Sequence, residues 1–282
     1  MSAVHNQAQH HAPHHAPQHK AVYKAVLSGA TGGIGRAMAL ELAAQSSHLV
    51  LLGRNAAELA ALAEMLSRKF PVLTVSHCAG DLSQMDYQNQ VLKHCESLGT
   101  GINLLVNNAG ANAFGPAEAQ SPQTVAQLVQ VNLIAPIQLT QLLLPLLKKQ
   151  VQSTVVQVGS IFGYIGYPGN SVYCGTKFGL RGYSQALRRE LANSSVRVKY
   201  FAPRATKTAI NHGAVDKLNA ELKVQRDTPE AVAIQLIPFI QSSKHELKIG
   251  FPEKLFVFLN QLFPGVNDKA IRGQLPTIQK YF

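Results

Sequence analysis

Ser28-Gly29-Ala30-Thr31-Gly32-Gly33-Ile34-Gly35 is the stretch on which the fold turns. The apolar run Val22–Ser28 leads into it and reads as a buried strand, and Ile34–Gln45 follows it as a helix. Glycines in a strand-to-helix turn allow a tight bend and let a phosphate approach the backbone. The helix start adds free N–H donors and a partial positive charge. Strand, glycine turn and helix in that order place a nucleotide pyrophosphate at Gly29, Thr31, Gly32, Gly33, Ile34 and Gly35.

Outward from this turn, strand and helix patterns alternate. Strands are expected over Leu49–Leu52, Val72–Ser76, Ile102–Asn107, Thr154–Val158, Val196–Phe201 and Leu247–Gly250. Between them, Asn55 caps a helix reaching Phe70, with Leu59, Leu62 and Leu66 on one face. Gln84–Leu98 and Ser171–Leu191 are further helices. Ser121-Pro122 and Thr228-Pro229 each read as a cap followed by proline at the first helical position. Repeated βα units predict an α/β fold: a single doubly wound domain over residues 20–250, with a parallel sheet and helices on both faces.

The composition agrees. The 282 residues are 46% hydrophobic, and 26 Lys+Arg against 15 Asp+Glu give a formal charge of +11. No window approaches 18 uncharged apolar residues, which argues against a spanning helix. Three cysteines without a C-x-x-C pair argue against a disulfide framework or a thiolate metal site, and for a reducing compartment. No metal site and a cytoplasmic location, with membrane-peripheral contact as the alternative, are the expectations. The positive surplus suits phosphate ligands or an anionic membrane. Clustered Lys/Arg with interleaved aromatics are lacking, so nucleic acid is not an expected partner. Residues 1–19 hold six of the eleven histidines and no apolar periodicity; they read as a disordered, solvated segment.

The second strand ends in Leu52-Gly53-Arg54, where dinucleotide folds read the adenosine ribose. An acid there would bind both ribose hydroxyls. Gly53 instead leaves space, and Arg54 offers a bidentate partner for a 2′-phosphate. NADP(H) is therefore favoured over NAD(H).

Further motifs complete a pattern. Asp81-Leu82 follows the third strand and Asn107-Asn108-Ala109-Gly110 ends the fourth. Asn132, Ser160, Tyr173 and Lys177 follow, with Tyr173-x3-Lys177 thirteen residues after Ser160. Together these resemble the classical short-chain dehydrogenase/reductase family over about residues 22–250. The resemblance implies a Rossmann-type fold and a catalytic tetrad of Asn132, Ser160, Tyr173 and Lys177. It implies cofactor contacts from Asp81, Leu82, Asn108, Ala109, Gly110, Tyr173 and Lys177, with Lys177 on the nicotinamide ribose and Asn132 positioning a relay water. It also implies a homo-oligomer.

The chemistry of the residues agrees with that reading. Carbonyl reduction needs a hydride donor and an acid for the developing alkoxide. A free tyrosine, with pKa about 10, is a poor neutral-pH acid, and a nearby ammonium lowers that value. Tyr173 and Lys177 share a helix face, and Ser160 at a strand end can orient the substrate oxygen. An NADP(H)-dependent oxidoreductase interconverting a carbonyl and an alcohol is the expected function; a cofactor-sensing regulatory or membrane-peripheral binding protein on the same fold is the alternative.

Pro203-Arg204-Ala205-Thr206-Lys207-Thr208 departs from the family in having Arg204 where glycine is usual. That side chain is expected to crowd or contact the nicotinamide side. Pro203, Thr206 and Thr208 are candidate cofactor contacts, with helix capping the other reading for either threonine. After Ser160, the aromatics Phe162, Tyr164 and Tyr167, with Asn112 and Phe114, are candidate walls for an apolar substrate, and Ser160, Phe162 and Tyr173 candidate substrate contacts. The extension 251–282 carries Leu255-Phe256-Val257-Phe258-Leu259 beside Lys254, Lys269 and Arg272. It can pack on its own domain, roof the cleft, join subunits or touch a membrane surface.

Overall fold

A computed structural model describes residues 23–208 and 213–282. Val22 and the histidine-rich residues 1–19 lie outside the described residues.

Seven parallel strands form one sheet: β1 (Tyr23–Ser28), β2 (Ser46–Gly53), β3 (Thr74–Ala79), β4 (Leu104–Asn107), β5 (Ser153–Val158), β6 (Val196–Ala202) and β7 (Glu246–Lys248), in the order β3-β2-β1-β4-β5-β6-β7. Neighbouring residues of a central strand point to opposite faces and are buried on both. Leu27 packs with Met38 and Leu42 of α1 (Gly33–Ala43) and Leu59, Leu62 and Leu66 of α2 (Ala56–Lys69). Its neighbour Val26 packs with Val91 of α3 (Met85–Ser97) and Leu139, Leu143 and Leu147 of α5 (Ala135–Lys148). On that second face also lies α6 (Ser171–Glu190), through Leu187.

The Asn55 and Ser121 side chains cap α2 and α4 (Pro122–Val129) as read from the sequence, and Thr228 caps α8 (Pro229–Ala233). α8 is followed by α9 (Leu236–Gln241), whose Phe239 and Ile240 join the first core. A π-helical turn, Gln130–Ile134, links α4 to α5. The continuous helical run Pro122–Lys148 is, at mean hydropathy 1.3, long and apolar enough to cross a membrane by length and composition. Within it, Leu139, Leu143 and Leu147 are buried with Leu105 and Val155 of the sheet.

Boundaries moved where pairing overrides local pattern. β2 starts earlier than expected because Ser46 and His48 pair with Tyr23 and Lys24. β3 starts later: Val72 is 92% exposed, and pairing to β2 begins at Thr74. The sequence reading did not define three helices: α7 (Ala214–Glu221), α10 (Glu253–Leu262) and α11 (Pro264–Gln279).

Strand order reverses between β1 and β4, which opens a crevice at their carboxyl ends, the usual ligand site of such sheets. Asn108 closes the base of this crevice. Its Nδ2 donates to Ser28 O and Gly29 O at 3.1 Å each, while Ser28 Oγ accepts from the Asn108 and Ala109 N–H groups at 3.0 Å each. Gly29 has φ +64, and a Cβ there would lie 2.9 Å from Ala109 Cα. Asn108→Ala removes two donors from buried carbonyls at a cost of about 1–3 kcal/mol. The variant should melt several degrees lower and bind nucleotide more weakly; calorimetry showing an unchanged Tm would contradict this role.

Candidate active site

A cavity of about 680 Å³ runs along the carboxyl ends of the strands. Gly29, Thr31, Gly32, Gly33, Ile34 and Gly35 line one end. A Cβ on Gly35 would fall 1.9 Å from Gly29 O, and one on Gly33 2.8 Å from Thr208 Cγ2, so close packing of the turn against its own backbone and against Thr208 requires glycine at both positions. The start of α1 has no side-chain cap and no acid in its first turn. The free N–H groups at this helix start suit an anionic phosphate.

Further along, Gly53, Arg54, Asp81 and Leu82 line the cavity. Arg54 is exposed and makes no ion pair among the described residues. Asp81 accepts from the Ser83 N–H at 2.9 Å, leaving carboxylate capacity free toward the cleft. Asn108, Ala109, Gly110, Pro203, Thr206 and Thr208 also line it. Asn108 spends its side chain on the glycine turn, as described above. Thr206 Oγ1 donates to Arg204 O at 3.0 Å, and neither Thr206 nor Thr208 caps a helix among the described residues.

Asn132, Ser160 and the α6 pair Tyr173 and Lys177 come from three separate segments; Ser160, Tyr173 and Lys177 line the cleft, and Asn132 sits behind it. Asn132 sits in the π-helical turn, where its Nδ2 donates to Ala111 O and its Oδ1 accepts from the Ala111 N–H, each at 2.8 Å. A Cβ on Gly110 would lie 3.2 Å from Asn132 Oδ1 and 3.6 Å from Lys177 Nζ, which brings those two groups together. Lys177 is buried; its Nζ donates to Val158 O at 3.2 Å and lies 5.6 Å from the Tyr173 ring centre. Ser160 Oγ accepts from the Phe162 N–H at 3.1 Å and is hydrogen-bonded to Tyr173.

The sequence reading expected the lysine to lower the tyrosine pKa. In the structure burial dominates and pushes Tyr173 up to about 12, only partly offset by its hydrogen bond with Ser160. Burial also lowers Lys177 to about 8. Both shifts have one cause: an apolar surround disfavours phenolate and ammonium alike.

Tyr200 of β6 was missed as a site residue because its apolar run looks like plain core. Its hydroxyl donates to Lys177 O at 3.1 Å and accepts from the Ser160 N–H at 3.4 Å. Gly159 and Gly163 make room for it: a Cβ at either would sit within 2.2 Å of the hydroxyl. Tyr200 thus fixes the serine strand end against the lysine helix. The signal in the sequence is the pair of glycines around Ser160.

Arg204 lines the cavity, as a residue beside the nicotinamide side would, and it is also held by ion pairs. Its guanidinium pairs with Asp227 at 2.7 Å and Glu253 at 3.2 Å, and also donates to Gln225 and to Phe251 O. Gly250, at φ +104, lies against the Arg204 stem, with a built Cβ only 2.5 Å from its Cδ. The arginine anchors the start of α10 to the strand end that carries Pro203. α10 and α11 then roof the cavity through Phe256, Asn267, Ala270, Ile271 and Gln274. Phe162 stacks on Tyr167 at 5.2 Å and meets Tyr173 edge-on, and all three line the cavity. Tyr164 does not; it is buried on Tyr200 with its hydroxyl donating to Glu246. Asn112 and Phe114 line the same end: Asn112 Nδ2 donates to Asn170 Oδ1, and Phe114 packs on Phe282.

The short chain dehydrogenase family model matches residues 23–219, and the chain belongs to the short-chain dehydrogenase/reductase family. Dehydrogenase/reductase SDR family member 7B of Xenopus laevis is 29% identical over 252 residues, spanning 84% of this chain and 77% of that protein. 3-Oxoacyl-[acyl-carrier-protein] reductase FabG of Aquifex aeolicus is 30% identical over 198 residues, 70% of this chain and 79% of that one. The crystal structure of a short chain dehydrogenase/reductase from Burkholderia phymatum in complex with NAD superposes with a TM-score of 0.80 at 20% identity, over 89% of this chain and 97% of that one; this likeness is one of fold. The chain is thus an oxidoreductase of carbonyl and alcohol groups from a family that binds a nicotinamide cofactor.

Burial of Lys177 has a consequence for stability. The unfolded chain holds this proton more tightly than the folded one between pH about 8 and the ordinary lysine value of 10.5. The penalty is therefore full below pH about 8 and fades as pH rises toward 10.5. Lys177→Met should melt a few degrees above wild type at neutral pH, with the advantage shrinking in alkali. A lower Tm for the variant at both pH values would refute the assigned cause.

Proposed function

We propose that this protein reduces the carbonyl of an apolar substrate with NADPH, or runs the reverse oxidation, using Tyr173 as acid, Ser160 to hold the substrate oxygen and Lys177 to secure the nicotinamide ribose. The observation that carries the reading is the convergence of Ser160, Tyr173 and Lys177 on one cleft whose other end is the glycine turn, with Asn132 bonded to the cleft-lining Ala111. When bound, the nicotinamide supplies the hydride.

The chain's own groups handle the proton. Tyr173 keeps its proton through the neutral range, because burial raises its pKa. It can therefore donate to a carbonyl oxygen as negative charge develops there. Ser160, already bonded to Tyr173, presents its hydroxyl to the same oxygen. Lys177 and the Ala111 backbone held by Asn132 complete a polar path out of the apolar pocket.

An apolar substrate is supported by the apolar walls that Phe114, Ile161, Phe162, Ile165 and Phe256 supply to the substrate end. A buried Asn112 Oδ1 without a hydrogen-bond partner offers one polar anchor among them. NADP(H) selection is supported by Gly53 and Arg54 at the end of β2, where no carboxylate stands to bind an unphosphorylated ribose. Arg36, the other nearby arginine, does not line the cleft. The solved neighbour in complex with NAD bears on fold alone.

Tyr173→Phe removes only the acidic hydroxyl. It should retain cofactor affinity and lose roughly a hundredfold or more in turnover. Near-wild-type kcat on an authentic substrate would overturn the mechanism.

A charge-assisted hydrogen bond contributes about 1.5–3 kcal/mol, and solvent exposure of Arg54 reduces this. Fluorescence titration should give NADPH the lower Kd in wild type, with Arg54→Ala losing several-fold for NADPH and little for NADH. Tighter NADH binding by wild type would contradict the cofactor assignment, and an unchanged NADPH Kd in the variant would contradict the assignment of Arg54.

A further inference from the structure

The helical hairpin of α10 and α11 has two unlike faces. One is turned into the protein: Val257 is buried with Ile161, Ile165 and Tyr200, and Asn260 Nδ2 donates to Tyr164 O at 3.1 Å. Asn267 Nδ2 ties the two helices together through Phe256 O at 2.8 Å, and the Tyr167 hydroxyl donates to Gln274 at 2.9 Å. With the Arg204–Glu253 pair, these bonds fix the hairpin as a rigid roof.

The other face is uncovered among the described residues. Leu255, Phe258 and Leu262 recur at i, i+3 and i+7 on α10, opposite Val257 and Asn260. Phe258, Leu262, Phe263 and Val266 are 54–59% exposed and continuous around the turn of the hairpin. Single exposed apolar residues are ordinary, but a contiguous cluster of large ones marks a contact surface.

The charges around the cluster indicate its partner. Lys254 lies on the face of Phe258, and Lys269 one turn beyond Val266 on α11. Both are exposed and neither joins an ion pair among the described residues, and the same holds for Arg272. Of the hairpin's two acids, Glu253 is consumed by Arg204, and exposed Asp268 leaves Lys254, Lys269 and Arg272 in excess. A second copy seated on this face about a two-fold axis would bring unpaired cations toward their own equivalents. A bilayer surface with anionic headgroups instead takes the apolar side chains into its acyl boundary and the cations onto its phosphates. The formal charge of +11 favours the same encounter.

We propose that the α10–α11 hairpin docks this protein on an anionic lipid surface, with the roof of the substrate cavity lying against the membrane. Phe256 belongs to both regions: it lines the cavity and is 44% exposed beside the outer cluster. Docking therefore brings the cavity mouth to the lipid boundary, where an apolar carbonyl compound would be concentrated. The inference rests on the hairpin alone. Vesicle binding is measured without substrate, so it can fail while turnover stands, and the reverse.

The test is co-sedimentation of the full chain with vesicles of phosphatidylcholine alone and of phosphatidylcholine with roughly a third phosphatidylserine. Wild type should partition to the anionic vesicles and only weakly to the neutral ones. The triple variant Leu255→Gln, Phe258→Gln, Leu262→Gln should lose tenfold or more of that partition while keeping wild-type Tm and nucleotide affinity. Lys254→Glu with Lys269→Glu, which leaves the apolar face intact, should abolish the preference for anionic lipid. Failure of wild type to bind either vesicle would overturn the proposal. So would a triple variant that binds as wild type does, or a wild-type dimer that the triple variant splits in the absence of vesicle binding.

Discussion

The close approach of the Gly29 turn to the end of β4 is the constraint on which the rest of this structure depends. At the point where strand order reverses, two polypeptide segments meet with no room for a Cβ, and Asn108 stitches the seam with two side-chain bonds to backbone carbonyls. The sheet can then splay beyond the seam, and the crevice that opens is lined by the glycine turn, the start of α1 and the α6 residues Tyr173 and Lys177.

The second determinant is dryness. The pocket around Tyr173 and Lys177 is apolar enough to hold the phenol protonated and to weaken the ammonium's hold on its proton. An isolated buried ammonium is costly, and the structure limits that cost with the Val158 carbonyl and with the Tyr200 hydroxyl, which braces the lysine's own backbone. The roof of α10 and α11 keeps the site dry, and Arg204 pins that roof to the strand end beside the cofactor groove. The departure from glycine at position 204 thus has a structural reason: it couples the C-terminal helices to the site.

Much of this was legible in the sequence. The glycine turn, the caps at Asn55, Ser121 and Thr228, and the spacing of Ser160, Tyr173 and Lys177 are local signals set by backbone geometry and side-chain chemistry; the structure has the turn and the caps, and it brings the three side chains to one cleft. The edges of β2 and β3 did not, because pairing with a neighbouring strand decides where a strand ends. Arg204 and Tyr200 escaped for a related reason. Their partners lie 23 to 49 residues away, among Asp227, Glu253, Lys177 and Ser160, and no local pattern records such contacts. The helices α10 and α11 carried an apolar pattern that could be seen, but one face serves the cavity and the other the surface, and only the fold separates the two.

The account's central claim is that one dry cleft couples a nicotinamide cofactor to an apolar carbonyl. The most direct test is to mix the purified protein with NADPH and a series of ketones of increasing alkyl chain length, and to follow the loss of reduced-nicotinamide absorbance. The account predicts consumption of NADPH with a specificity constant that rises along the series as the chain fills the apolar end of the cavity. No consumption with any ketone, together with no cofactor reduction by the matching alcohols, would contradict it.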